Sequence, residues 1–228
     1  LKREYFKLEK DMVISLLKLG GPVAAQNRII AVGGRIVQKI VKGFKVICIA
    51  GFTATNKLYG LLEIAATSYG YAVTSYTGQN FGAEKYMRIR KGVKAAALIA
   101  LITAVVIAVL MIAFGPYIIS LFLKSDEASR AEVLKIGYDY LKVMSTYLPI
   151  LYLLHIYRSA LMGLGDSFIP MMSGVAELVM RVLAAFILPA VLGQSGIFYA
   201  EVLAWIAAAI LLFASYCYRI NKYPKRDM

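Results

Sequence analysis

The chain has 228 residues, of which 60% are hydrophobic, and its formal net charge at pH 7 is +13. A large soluble helical protein is disfavoured, because the apolar stretches at 93–121 and 197–218 lack polar faces at helical spacing. The positive charge does not indicate a nucleic-acid partner, because the sequence contains no recognisable module of interleaved basic and aromatic residues. The composition therefore predicts an all-α membrane protein.

Six apolar stretches follow one another along the chain, and each is long enough for a helix to cross a bilayer core. They lie at 12–38, 46–77, 93–121, 134–157, 168–192 and 197–218. The first two exceed the length of one crossing, so we expect tilt, a break, or an end that projects beyond the bilayer. The predicted organisation is an amphipathic linker segment at 1–11, a six-helix transmembrane lobe at 12–220 and a basic tail at 221–228.

Basic residues cluster before the first stretch, between the second and third, and after the last. An even number of crossings places these clusters on one side of the membrane, and the positive-inside rule assigns that side to the cytoplasm. We therefore expect a multi-pass protein of the cell membrane with both termini cytoplasmic, whose basic clusters favour anionic lipid headgroups. The clusters are Lys2, Arg3, Lys7 and Lys10; Lys85, Arg88, Arg90, Lys91 and Lys94; and Arg219, Lys222, Lys225 and Arg226.

The first apolar stretch carries cations that hydrocarbon would not tolerate. Helical periodicity places four of them on one face, which we call the cationic row. Each such charge costs roughly 2.5–3.5 kcal/mol near the membrane centre, so the row cannot face lipid throughout. Arg28 and Arg35 are predicted to line a hydrated cavity or to meet carboxylates. Lys39 and Lys42 either join them or extend to the outer interface. The row is Arg28 and Arg35, then Lys39 and Lys42; the available carboxylates are Glu63, Asp139, Glu177 and Glu201.

Polar residues inside apolar stretches usually mark a pathway, because each one is costly in hydrocarbon. Those of the first two stretches form the predicted substrate-cavity set, and the fifth stretch contains an ion pair at i,i+4 spacing. That pair either neutralises both charges during insertion or takes part in gating or substrate contact. The cavity set is Asn27, Arg28, Arg35, Lys39, Asn56 and Lys57, and the pair is Glu177 with Arg181.

The single histidine, His155, lies in an apolar run with no second ligand-type residue at metal-binding spacing. Two interpretations stay open: a histidine whose hydrogen bonds are satisfied inside the membrane, or a proton relay, since imidazole titrates near neutral pH in water. The sequence contains no catalytic constellation, no phosphate-binding loop and no metal-ligand pattern. We therefore expect that the chain is not an enzyme and that it holds no cofactor or metal.

Five segments carry a family signal, and their most specific elements are GQNFGA at 78–83 and RSALMGLG at 158–165. In this order they resemble the multidrug and toxic compound extrusion (MATE) transporters over essentially the whole chain. MATE proteins have twelve helices in two six-helix lobes around a central cavity, and this chain resembles the second lobe alone. The segments are LLKLGGPVAAQ (16–26), AGFTATNKLYGLLEIAATSYGYAVTSYTGQNFGAEK (50–85), RIRKG (88–92), YRSALMGLGDSFIPM (157–171) and GIFYAEVLAW (196–205).

The resemblance implies half of a secondary active multidrug efflux antiporter, which lines an alternating-access cavity together with a second lobe or a homodimer partner. Its substrate would be a small molecule. Coupling to sodium or protons stays open, because the acidic coupling positions of one family branch correspond here to the neighbourhoods of the apolar Ile30 and Leu151. The cationic row leaves one alternative open, a flippase-like transporter of anionic, lipid-linked substrates. Another alternative is an isolated or engineered lobe that self-associates without transporting.

Overall fold

The computed structural model describes residues 9–44, 46–122 and 127–224. These ranges form seven α-helices and one short 3-10 helix, without a β-strand, so the all-α prediction is confirmed. The predicted segment 1–11 and tail 221–228 lie in part outside the described residues. The helices are α1 Lys10–Val41, α2 Val46–Gly82, α3 Tyr86–Ser120, α4 Glu127–Thr146, α5 Leu148–Gly163, α6 Phe168–Leu192 and α7 Phe198–Ile220, with the 3-10 helix at Gly193–Ile197 between the last two.

The fourth apolar stretch forms two helices, where the sequence predicted one over 134–157. Only Tyr147 separates α4 from α5, and Pro149 lies in the first turn of α5. Proline has no N–H to donate to the carbonyl four residues before it, so the backbone hydrogen bonds of α4 cannot continue through Pro149. The helix is therefore interrupted just before the proline. Because α4 and α5 together correspond to one predicted crossing, the predicted six-helix arrangement stands.

Several helices present apolar side chains on the outside of the bundle. Tyr86–Ser120 and the segment Phe168–Ile220 are long and apolar enough to cross a membrane, on the grounds of length and composition. On α3, Ile102 and Val109 are more than half exposed, at 57% and 60%. An extensive apolar exterior of this kind is typical of a surface that faces lipid.

Helix α5 lies at the centre of the bundle, where it packs against α2, α3 and α7. Small residues on the neighbouring helices permit this close packing: Ala66 of α2, Ala100 of α3 and Ala208 of α7 are fully buried. Small residues have the same function in other membrane proteins, because they let helix backbones approach one another. Helix α1, in contrast, packs mainly along α6, which leaves much of its surface open.

The α2–α3 connection and the chain after α7 meet at one end of the bundle. The Arg90 guanidinium donates hydrogen bonds to the side chain of Asn221 and to the backbone carbonyl of Tyr223, both at 3.1 Å. The ring of Tyr86 stacks on that of Tyr223 with centroids 4.7 Å apart. Two of the basic clusters therefore lie on the same side, as an even number of intervening crossings requires. That this side is cytoplasmic stays a prediction.

Candidate functional site

The most concentrated group of buried charges lies where α5, α6 and α7 meet. Arg158 of α5 forms a salt bridge with Glu177 of α6. The Nη2 atom of Arg181 lies 2.8 Å from Glu201 Oε2 and 3.6 Å from Glu177 Oε2. The side chains of Glu177 and Arg181 are each only 4% exposed. A buried charge without a partner is strongly destabilising, and these two arginines and two glutamates neutralise one another. We call the four residues the charge network.

Helix geometry and one glycine explain how Arg181 reaches this position. Glu177 and Arg181 are spaced i,i+4 on α6, so they project from one helix face. Helix α1 passes close by at Gly33, where an added Cβ would lie 2.9 Å from Arg181 Nη1. This approach lets the guanidinium donate a hydrogen bond to the backbone carbonyl of Ile30 at 3.2 Å. The charge network therefore joins α5, α6 and α7 and also holds α1 against α6.

The charge network borders a cavity of about 180 Å³, which also receives Glu63 from α2 and His155 from α5. Tyr59 and Trp205 form an aromatic wall, with their ring centroids 5.6 Å apart. Glu63 is half-buried, and within the described ranges it has no hydrogen bond or ion pair. Its carboxylate is thus a third acidic group beside two arginines. The cavity can hold water or a small polar ligand.

His155 and Arg158 also border a second cavity, of about 190 Å³. This cavity is lined by polar side chains of α1 and α2, including Asn27 of the predicted substrate-cavity set and Thr67 and Tyr71. His155 therefore lies beside two cavities that contain polar and charged side chains, although the sequence around it is apolar. Whether it relays protons stays a prediction.

The first three members of the cationic row lie apart from these two cavities. Arg28, Arg35 and Lys39 are exposed on α1 and line neither cavity. Among the described residues, no carboxylate forms a salt bridge with any of the three. Asp139 pairs instead with Lys142 at 2.8 Å, and the other paired carboxylates belong to the charge network. These three cations thus face outward from this lobe, and their part in a substrate cavity stays a prediction.

A third cavity, of about 350 Å³, lies between the end of α1 and the start of α2. It brings together Lys42 of the cationic row with Asn56 and Lys57 of the predicted cavity set, and Phe52 adds an apolar wall. The Tyr140 hydroxyl donates a hydrogen bond to Asn56 Oδ1 at 3.1 Å, which fixes the orientation of the amide. The cavity is therefore basic and amphipathic, a combination suited to an anion with an apolar part.

Arg158 opens the motif at 158–165, but the sequence pattern does not assign it a partner. A signal was available, because an arginine inside a span requires a counter-charge. Its partner Glu177 lies on another helix, so residue spacing could not identify it. Glu201 was recognised as an available carboxylate, but its pairing with Arg181 likewise depends on how two helices pack.

Comparison with known proteins places the chain in a family. Residues 22–187 match the MatE family. The probable multidrug resistance protein YoeA of Bacillus subtilis (strain 168) is 26% identical over 125 residues, which cover 55% of this chain and 27% of YoeA. The probable multidrug resistance protein YpnP of the same organism is 27% identical over 134 residues, which cover 59% of this chain and 29% of YpnP. The match thus spans less than a third of either relative.

Solved MATE structures share the fold over nearly the whole chain. A crystal structure of MATE in complex with MaL6 has a TM-score of 0.88 at 19% identity, covering 97% of this chain and 50% of that one. A variant of the Vibrio cholerae MATE transporter VcmN has a TM-score of 0.86 at 17% identity, covering 98% and 50%. A MOP superfamily transporter from Pyrococcus furiosus has a TM-score of 0.88 at 18% identity, covering 97% and 49%. The chain spans about half the length of these structures, consistent with one six-helix lobe. It belongs to the MatE family of membrane transporters, which are not enzymes.

Proposed function

We propose that this chain is one lobe of a MATE-type secondary transporter, and that the open faces of α1 and α2 line a central cavity completed by a second lobe. The observation that carries the proposal is a MATE fold that covers 97% of this chain but only half of the transporter it matches. The exposed cations Arg28 and Arg35 support it, because their cost in lipid would be several kcal/mol and a hydrated cavity would remove it. A second six-helix lobe, or a second copy of this one, forms the other side of the proposed cavity.

The charge network supports rigid-body movement of the lobe. Salt bridges join α5, α6 and α7, and the bond from Arg181 to the Ile30 carbonyl adds α1. A lobe that is cross-linked internally can rock against its partner without rearranging its own helices, which is the motion expected in alternating access. We therefore assign Glu177 and Arg181 to maintaining the lobe during transport. The antiporter mechanism is what the family resemblance implies, and coupling to sodium or to protons stays open.

The substrate class has two candidates. The curated relatives are named probable multidrug resistance proteins, which favours efflux of small drug-like molecules. The cationic row and the basic cavity at Lys42 and Lys57 favour anionic substrates, since a positively lined cavity concentrates anions and repels cations. A flippase-like transporter of anionic, lipid-linked substrates is therefore the second candidate. For the similar Pyrococcus furiosus transporter, a reversed polarity of the binding pocket has been taken to suggest a different function.

Transport into liposomes tests the proposal. The chain is reconstituted, and the flux of an organic cation is compared with the translocation of an anionic fluorescent lipid across the bilayer. Flux of the cation supports multidrug efflux, and movement of the lipid supports the second candidate. Flux of neither substrate above that of protein-free liposomes would contradict transport by this chain and support a lobe without transport activity.

A double variant then assigns the charge of the cavity. The variant Arg28→Gln with Arg35→Gln should keep its thermal stability, because neither arginine has an ion-pair partner among the described residues. The same variant should lose affinity for anionic ligands. Lys94→Gln, on α3, is the matched control for loss of an exposed positive charge. A large fall in melting temperature with ligand binding unchanged would show that the two arginines are structural.

A further inference from the structure

An apolar groove of about 290 Å³ runs between α2 and α3, away from the cavities described above. Its walls combine aromatic rings from α2 with small and aliphatic residues from α3. The residues that define it are Tyr69 and Tyr76 of α2 and Gly92, Ala95, Ala96 and Ile99 of α3. We call it the α2–α3 groove.

A glycine and two tyrosines give the groove its shape. Gly92 allows the Tyr76 ring to lie directly on the α3 backbone, because a Cβ at this position would overlap the ring. The Tyr76 hydroxyl donates a hydrogen bond to the carbonyl of Arg88 at 3.0 Å, and the Tyr69 hydroxyl pairs with that of Thr103 at 2.8 Å. The two rings, seven residues apart on α2, are separated by roughly 10 Å along the helix. The groove between them is suited to a stretch of alkyl chain.

The groove ends beside positive charge. Arg88 and Lys91 each lie four residues before a groove residue, Gly92 and Ala95 respectively, so they lie on the same side of α3 as the groove. Both are exposed, and helical side chains lean towards the helix N-terminus, which here carries them away from the apolar part. Lysine and arginine side chains placed in this way reach the polar interface of a bilayer while their stems remain in apolar surroundings.

We propose that the α2–α3 groove is a binding site for an anionic phospholipid. One acyl chain occupies the groove between Tyr69 and Tyr76, and the headgroup phosphate contacts Arg88 and Lys91. Charge complementarity selects this occupant, because an apolar slot that leads to two cations matches an acyl chain that leads to an anionic headgroup. The site is separate from the proposed transport cavity and serves to anchor the lobe at one interface of the bilayer.

Lipid retention measured by native mass spectrometry tests the site. The full chain in detergent is titrated with phosphatidylglycerol and, separately, with phosphatidylcholine of the same acyl chains. The double variant Arg88→Gln with Lys91→Gln should bind phosphatidylglycerol about 30-fold more weakly and bind phosphatidylcholine as before. Lys94→Gln is the matched control, because neither Ala97 nor Leu98, three and four residues further on, lines the groove.

A groove-filling variant tests the position of the acyl chain. Ala96→Phe should reduce binding of both lipids at unchanged melting temperature; if this variant does not fold, Ala95→Phe, at an exposed position, replaces it. Unchanged phosphatidylglycerol binding by the double variant, or an equal loss in Lys94→Gln, would overturn the headgroup assignment. Full lipid binding by the groove-filling variant would overturn the acyl-chain assignment. Cross-links from a cysteine at position 95 to a second protein chain would show that protein, and not lipid, covers the groove.

Discussion

Removal of one arginine from the charge network should destabilise the lobe far more than removal of a complete ion pair. Arg181→Met takes away the guanidinium that lies 2.8 Å from Glu201, while Glu177 keeps its salt bridge with Arg158. The side chain of Glu201 is only 15% exposed, so its carboxylate would be left with little access to water. Breaking a buried pair in this way costs roughly 3–5 kcal/mol of folding free energy.

The double variant Arg181→Met with Glu201→Gln separates charge pairing from packing. Because it removes both charges, most of the lost stability should return, to within about 1–2 kcal/mol of the parent chain. The single variants Arg181→Met and Glu201→Gln, the double variant and the parent chain form a thermodynamic cycle. The interaction free energy of this cycle measures the ion pair itself. A variant at an exposed ion pair, Lys142→Met, is the control, and it should change stability by no more than about 1 kcal/mol.

The assay is thermal unfolding of the detergent-solubilised protein, in which size-exclusion chromatography measures the folded fraction after heating. For a chain of this size, a loss of 3–5 kcal/mol corresponds to a fall in melting temperature on the order of 10 °C. The reasoning would be refuted if Arg181→Met melted within a degree or two of the parent, or if the double variant were as unstable as the single variant. The first result would mean that the carboxylate of Glu201 has another stabilising partner. The second would mean that the loss comes from the packing of Arg181 or its hydrogen bond to the Ile30 carbonyl, and not from an unpaired charge.

Three further predictions concern helix packing, topology and assembly. Gly33→Ala should lower the stability measured by thermal unfolding by roughly 1–3 kcal/mol, because the new Cβ would lie 2.9 Å from Arg181 Nη1. The control Gly34→Ala, with open space at that position, should be neutral or stabilising. For topology, single cysteines are placed at Glu84 and Ser195 in a background without native cysteines, and intact cells are treated with an impermeant thiol reagent. The cysteine at position 84 should be protected and the one at position 195 should react. Labelling at position 84 would reverse the proposed orientation. Chemical crosslinking and mass measurement in detergent should reveal a homodimer or a complex with a second lobe, and a stable monodisperse monomer would contradict the proposed pairing.

The sequence alone specified the class of protein and the order of its helices. Long apolar stretches have only a few outcomes, since a bilayer requires helices whose backbone hydrogen bonds are satisfied within each segment. The fifth stretch illustrates this local determination: it was predicted at 168–192, and the structure places α6 at Phe168–Leu192. The motifs at 78–83 and 158–165 identified the family in the same local way. The i,i+4 spacing of Glu177 and Arg181 showed that they share one helix face.

Tertiary structure decided which polar groups meet. Arg158, Glu177 and Glu201 lie on three different helices, so their contacts depend on how those helices rotate and slide against one another. A periodic pattern shows which residues share one helix face but not which face of another helix lies opposite. The same reason explains why Arg28 was known to need water or a counter-charge, while only the packing of α1 on α6 showed that it faces outward. The local sequence therefore determined the helices and the free-energy cost of burying each charge. The packing of the helices determined which opposite charge offsets that cost.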